Sequence, residues 1–234
     1  MDKRKTKLDK RKNLIFIIVF CLLAVSVVYA FIMMQSAPSG ISNKEYKLVK
    51  SDYVLMVLQC LVGMIVIFIP YRVEKMYGID IPDLMEILYF IFLFCAIYLG
   101  EVQNFYYKIP FWDMILHGFS AGMLSALGFL IVDFISRSER TEVYLSPFFV
   151  SLFAFCFATT CGVLWEVYEY LADHFLQTNM QKFMTADGKI LAGHEALGDT
   201  MKDIMVNLLG TLIVVAIGYL HLKKQEKRKS RLLT

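Results

Sequence analysis

The residues in this chain best suited to chemistry are acids, a histidine and an amide that stand at the ends of apolar stretches. Asp113 and His117 are four residues apart. Glu166, Glu169 and Asp173 follow at spacings of three and four, and Asp199, Asp203 and Asn207 at four and four. Residues three and four apart share one face of a helix, so each set points one way. Glu101 closes another apolar run. Up to six carboxylates, one deep histidine and an amide, with no nearby arginine, cannot all stay ionised without a counter-charge. Either some carboxyls keep their protons or a cation binds. Hard oxygen ligands suit Mg²⁺, Ca²⁺ or Mn²⁺, and one histidine among carboxylates also admits Zn²⁺ or Fe²⁺. The spacing therefore predicts a divalent-cation site made of Asp113, His117, Glu166, Glu169, Asp199 and Asp203. Glu101, Asp173 and Asn207 support it. His117, Glu169 and Asp203 are the candidate catalytic groups, with His117 or Glu169 as general base.

The elements that must position these residues are apolar helices. The chain has 234 residues, 58% of them hydrophobic and 19% charged, with a mean hydropathy of +0.56. A soluble domain is about 45–50% apolar and about 25% charged, so a single soluble core could not hide this much apolar surface. Disordered chains lack such residues. A bilayer core needs about 20 helical residues to cross, and six stretches qualify, near 13–34, 53–70, 84–100, 113–135, 147–171 and 200–221. The expected fold is an all-α, six-span membrane bundle over 13–221, flanked by basic tails at 1–12 and 222–234. The first apolar run is longer than a signal-peptide core of roughly 7–15 residues, which favours an uncleaved helix.

Charge orients the bundle. The two tails carry 13 of the 24 basic residues and three of the 21 acids, which leaves the interior at a net of −7. With both termini in the cytoplasm, 17 Lys and Arg fall inside and seven outside, as the positive-inside rule requires. In that orientation Glu101, Asp113, Glu166 with Glu169 and Asp173, and Asp199 with Asp203 all lie at the outer side. His117 sits about one turn deeper than Asp113, and Asn207 about two turns deeper than Asp199, at about 5.4 Å per turn. Charged groups at such depth pair, bind an ion or line a wet cavity. Basic tails beside apolar helices are expected to touch anionic lipid rather than nucleic acid.

Other residues have plainer expected roles. Trp112, Trp165, Tyr106, Tyr107, Tyr168 and Tyr170 fit an interfacial aromatic belt. His174 and His194 belong to the longest connection, His174–Gly198, which holds the turn signals Asp187-Gly188, Gly193 and Gly198. His221 is expected to snorkel at the inner boundary. Asp133 and Glu86 fall near inner helix ends, where solvation is the default. Gly118-x-x-x-Gly122 and Gly210 would let helices approach closely. Cys21, Cys60, Cys95, Cys156 and Cys161 all lie in apolar runs with no CxxC, which argues against disulfides or a zinc knuckle. No G-x-S-x-G elbow, H-E-x-x-H motif or P-loop occurs. Ser120 follows His117 by three residues, but nothing else supports a dyad.

Three stretches carry a family resemblance: Trp112-Asp113-Met114-Ile115-Leu116-His117-Gly118, Trp165-Glu166-Val167-Tyr168-Glu169-Tyr170, and the run from Gly198-Asp199-Thr200 through Asp203 and Asn207 to Gly210. Together they resemble the YjdF-like bacterial inner-membrane proteins and, more distantly, the VanZ-like group, over roughly residues 85–218. The resemblance implicates Asp113, His117, Glu166, Glu169, Asp199, Asp203, Asn207 and Gly210. It departs from the YjdF-like pattern at Gly198 and Met201, around the Asp-Thr pair. It implies a multi-pass protein of the bacterial cytoplasmic membrane. For the VanZ-like group it implies an association with envelope-targeting glycopeptide resistance.

Three functions compete on this reading. An envelope enzyme or lipid-modifying protein would use the acids to hold a metal that polarises a phosphate or activates water, with a lipid head group or lipid-linked precursor as substrate. A cation- or proton-coupled transporter would use them as a pathway. However, the acids cluster at one side, and the inverted repeats common in transporters are not visible. A non-catalytic scaffold or resistance factor would use them to lock the bundle or to bind a partner.

Overall fold

Long apolar runs without internal proline or paired glycines make long helices, and a computed structural model of the chain shows them. It describes residues 3–39, 48–136, 145–176, 178–185 and 189–232. Lys44, Lys47, Arg137, Arg140 and the Asp187-Gly188 turn lie outside these. The helices are α1 (Lys3–Ser36), α2 (Lys50–Val66), α3 (Ile69–Tyr77), α4 (Asp83–Leu93), α5 (Phe105–Lys108), α6 (Trp112–Ser136), α7 (Pro147–Leu176) and α8 (His194–Leu232). A π-helical segment, Phe94–Val102, continues α4. Among the described residues there is no strand, only an isolated bridge between Met184 and Ile190. Six helical stretches are long and apolar enough to cross a membrane: Asp9–Ser36, Lys50–Tyr77, Asp83–Val102, Trp112–Ser136, Pro147–Leu176 and His194–Arg231.

Helical structure in the second stretch does not stop at Pro70 but runs on to Tyr77. The proline falls in the first turn of α3, where its missing N–H would have no helical partner anyway. The helical path is interrupted at Ile67 and Phe68, between α2 and α3. Gly78 closes α3 in the left-handed conformation, at φ 67°, a backbone state that glycine adopts without strain.

The chain divides into two compact units. The first comprises Met1–Leu116 and Glu169–Asp199, and the second comprises His117–Tyr168 and Thr200–Thr234. The core of the first is built by α1, α2, α4 and the π-helical segment. Val19, Leu23, Ala30, Tyr53, Met56, Cys60, Ile67, Phe90, Leu93 and Ile97 bury together there. Phe16 stands edge-on to Phe68 at 5.3 Å and to Phe90 at 5.6 Å, the favoured geometry for aromatic pairs. At the far end of α1, Lys12 pairs with Asp83 at 2.8 Å and with Glu86. Glu86 is only 5% exposed, so the solvated position expected for it is corrected. Its carboxylate is buried because a basic residue of the neighbouring helix reaches it.

Close backbone approach organises the second unit. A Cβ at Gly210 would stand 2.8 Å from the Gly118 carbonyl oxygen and 3.3 Å from the Ala121 Cβ. One at Gly118 would meet Val206 at 3.3 Å, and one at Gly122 would meet Val214 at 3.4 Å. Small residues thus bring α6 and α8 nearly into main-chain contact, the usual basis of helix association in lipid. On α7, Ala154 and Ala158 are fully buried, and Ala154 lies against Gly128 of α6.

Candidate functional site

In the second unit, three helices bring buried polar residues together. His117 of α6 is 6% exposed, Glu166 of α7 is 5%, Asp203 of α8 is 3% and Asn207 of α8 is 5%. The His117 Nε2 lies 3.7 Å from Glu166 Oε1. Ligand-type atoms of His117 and Asp203 lie within 4.8 Å of each other. The 3.7 Å separation is longer than a hydrogen bond. It is close to that between ligands that share one small cation, since bonds of about 2.0–2.2 Å place neighbouring ligands roughly 3–4 Å apart.

Asn207 is placed by a glycine. A side chain at Gly162 would overlap the Asn207 amide, so α7 must be bare there for the amide to lie in the helix interface. The Asn207 Oδ1 is buried and has no hydrogen-bond partner among the described residues. A buried carbonyl oxygen left in that state costs about 1–3 kcal/mol, and a cation or a donor would relieve it. Lys202, next to Asp203 in sequence, is exposed and points away from the buried face. Ser120 donates its hydroxyl to the His117 carbonyl oxygen at 3.0 Å, so it is engaged with the backbone of its own helix.

The remaining candidates belong to the first unit. Asp113 stands one turn before His117 on α6, Glu169 one turn after Glu166 on α7, and Asp199 one turn before Asp203 on α8. Glu169 is buried, while Asp113 and Asp199 are partly so. Glu101 ends the π-helical segment and accepts a hydrogen bond from Gln59 at 3.2 Å. Asp173 has a different task. Its carboxylate accepts from the Thr178 hydroxyl at 2.7 Å, the Met180 N–H at 2.7 Å and the Gln181 N–H at 2.9 Å. It pins the segment after α7 rather than facing a ligand.

That segment carries a residue that sequence reasoning counted only for topology. Lys182 is half-buried, and its ammonium lies 4.4 Å from the centre of the Tyr106 ring and 5.8 Å from that of Tyr107. Burial alone would lower its affinity for a proton. Asp113, Tyr107, Glu101 and Glu169 outweigh that and hold the proton more tightly than in an ordinary lysine. Burial, reinforced by Asp113, Glu101 and Glu169, keeps the Tyr106 phenol well above its usual range. The counter-charge that the first unit's acids require is therefore part of the chain. Its signal in the sequence was slight: one lysine in a polar connection, far from those acids along the chain.

The histidines at the two ends of that connection, and His221, are exposed and outside the buried group. His174 is exposed and stacks on Tyr170 at 6.4 Å, and His194 is exposed. His221 is exposed and lies 2.8 Å from the Gln225 amide. Trp112 packs edge-on to Phe105 at 5.1 Å, while Trp165 and Tyr168 stand exposed beside one another at 5.2 Å.

Residues 30–224, which include every one of these positions, match one family of membrane proteins. The chain belongs to the family described as "Predicted membrane protein (DUF2238)". A relative from Thermotoga maritima, whose printed name is "Uncharacterized protein", is 31% identical over 155 residues, which covers 65% of this chain and 70% of the relative. No solved structure matches.

Proposed function

We propose that this DUF2238 member holds a divalent cation at His117, Glu166 and Asp203, with Asn207 beside them, and acts on a phosphate-bearing lipid head group or lipid-linked envelope precursor. The observation that carries this reading is the spacing of the buried donors. His117 stands 3.7 Å from Glu166 and within 4.8 Å of Asp203, close enough for a shared ion. The orphaned Asn207 oxygen supports it. One imidazole, two carboxylates and an amide suit Mg²⁺, Mn²⁺, Ca²⁺ or Zn²⁺.

Each residue has a role in this proposal. Glu166 and Asp203 supply the negative charge that draws a cation into an apolar bundle. His117 orients between them, and Asn207 offers a neutral oxygen. A bound cation would polarise a phosphate oxygen or lower the pKa of water. Glu169, one turn from Glu166 on α7, serves as a further base. The excess of Lys and Arg in the tails supports both termini lying in the cytoplasm of a bacterial cell, with the acids facing outward. The likeness to YjdF-like proteins, and more distantly to VanZ-like ones, is compatible with that setting.

The test is metal content by mass spectrometry after purification of the full chain in lipid nanodiscs. Wild type should retain close to one divalent ion per chain, and His117→Ala and Asp203→Asn should each lose at least about tenfold. A well-folded wild type without metal would overturn the cation reading. It would then favour a non-catalytic role, with the His117–Glu166 pair acting as a lock within the helix interface.

A further inference from the structure

We propose that Glu101, Asp113 and Glu169, together with the ring faces of Tyr106 and Tyr107, form a binding site for a primary ammonium group whose resident is the chain's own Lys182. All of these residues belong to the first unit.

Its walls are fixed before any cation enters. Tyr106 seats its ring on Gly100, where any side chain would overlap it, and Gly100 precedes Glu101 in the π-helical segment. That segment is a real irregularity: the Gln103 N–H donates to the Tyr98 carbonyl oxygen, five residues back, at 2.9 Å. Such segments inside α-helices recur at functional sites. Tyr107 is fixed by Asn179, whose amide nitrogen donates to the phenol oxygen at 2.7 Å.

The occupant is fixed as well. The loop after α7 is braced from both sides. Asp173 accepts three hydrogen bonds from it. Asn179 donates to the Met184 carbonyl oxygen at 2.6 Å and accepts from the Met184 N–H at 2.9 Å. Between these braces Lys182 adopts φ 51°, a left-handed conformation that a side chain other than glycine resists. The surrounding bonds hold it there. A strained backbone maintained in this way points to a positioned side chain.

The chemistry suits an ammonium group. The Lys182 ammonium sits over the Tyr106 face at 4.4 Å, within the range of a cation–π contact. It donates one hydrogen bond to the Met180 carbonyl oxygen at 3.1 Å. The charges of Asp113, Glu101 and Glu169 favour the protonated form of both Tyr106 and Lys182. Aromatic faces supply the diffuse attraction, and carboxylates answer the N–H donors. A quaternary ammonium has no N–H to offer and would forgo the second contribution.

Chemical rescue tests this in the full chain in nanodiscs. Lys182→Ala deletes the equivalent of propylammonium. Its melting temperature should fall by at least about 5 °C. Propylammonium chloride at tens of millimolar should restore more than half of that loss and leave wild type unchanged. Equal concentrations of sodium or tetramethylammonium chloride should restore none. An unchanged melting temperature in Lys182→Ala would overturn the proposal, as would rescue by propylammonium no better than by sodium. If Lys182→Ala does not fold, the pair Glu101→Gln/Lys182→Ala removes one acid with the cation. Recovery of folding in the pair supports the site, and failure of both counts against it. Repeating the melts in a His117→Ala background keeps the result independent of the metal reading.

Discussion

The two units solve the same electrostatic problem with different means. Each buries acids in an apolar bundle, where an unpaired charge is strongly unfavourable. In the first, the chain itself supplies the answer. The charges of Asp113, Glu101 and Glu169 hold the proton on Lys182, and Lys12 reaches Asp83 and Glu86. In the second, Glu166 and Asp203 lie near a histidine, whose charge depends on a proton, and beside an amide with an unanswered oxygen. A lysine is a permanent occupant of an acidic pocket, whereas a neutral imidazole is a ligand. On the proposed reading, the contrast separates acids that hold the fold together from acids that would hold a cation.

Several experiments would break or sharpen that contrast. The largest effect should come from the second unit's ligands: His117→Ala or Asp203→Asn should abolish bound metal, and the same assay on Glu101→Gln should leave it in place. Metal lost equally from all three would erase the distinction. Next in size is Asp173→Ala. This removes the acceptor for three donors, each within 2.9 Å, and should cost about 2–4 kcal/mol of stability. Amide hydrogen exchange should then rise in residues 178–185 while α6 stays protected. A smaller loss, about 1–3 kcal/mol, is expected for Gly162→Ala, whose Cβ displaces the Asn207 amide. Its metal content should fall with its stability if Asn207 belongs to the ligand group. Lys12→Met, at a partly exposed pair, should cost about 1–2 kcal/mol by chemical denaturation. The double change with Glu86→Gln should recover part of that loss.

Alkaline pH gives the smallest effect and the cleanest sign. Lys182 binds its proton more tightly in the folded chain than a free lysine does, through Asp113, Tyr107, Glu101 and Glu169. Its stabilisation is therefore complete below the unfolded value of about 10.4 and is lost as pH rises beyond it. The difference in stability between wild type and Lys182→Ala should be flat from pH 7 to pH 9 and shrink above about pH 10.5. A difference that shrinks below pH 9 would mean that the lysine is not held by those acids.

Helix identity and the grouping of polar residues along each helix were legible because both depend on local periodicity. Asp113 with His117, Glu166 with Glu169, and Asp203 with Asn207 share faces by spacing alone. Six apolar stretches were also visible as such. Lys182 was not legible as a partner of Glu101, because they meet through a fold that joins positions 81 residues apart. Glu86 looked like a solvated end because Lys12 is remote from it in sequence. The second apolar stretch was given an end at 70, since a proline both starts and breaks helices. No periodicity rule distinguishes the π-helical stretch from an ordinary turn of helix, as both are apolar and continuous.

That stretch has a consequence for length variation. A helix whose hydrogen bonds reach five residues back contains one residue more than the α-helical path between the same ends. Deleting a single residue between Phe94 and Tyr98 would remove that extra residue and leave those beyond it in place. Winding the full-length segment as an unbroken α-helix would instead turn every residue beyond it by about 100° relative to those before it. Gly100 would leave the Tyr106 ring, and Glu101 would swing away from Lys182. The extra residue works as a shim: it sets the angle at which a continuous apolar helix presents its last carboxylate.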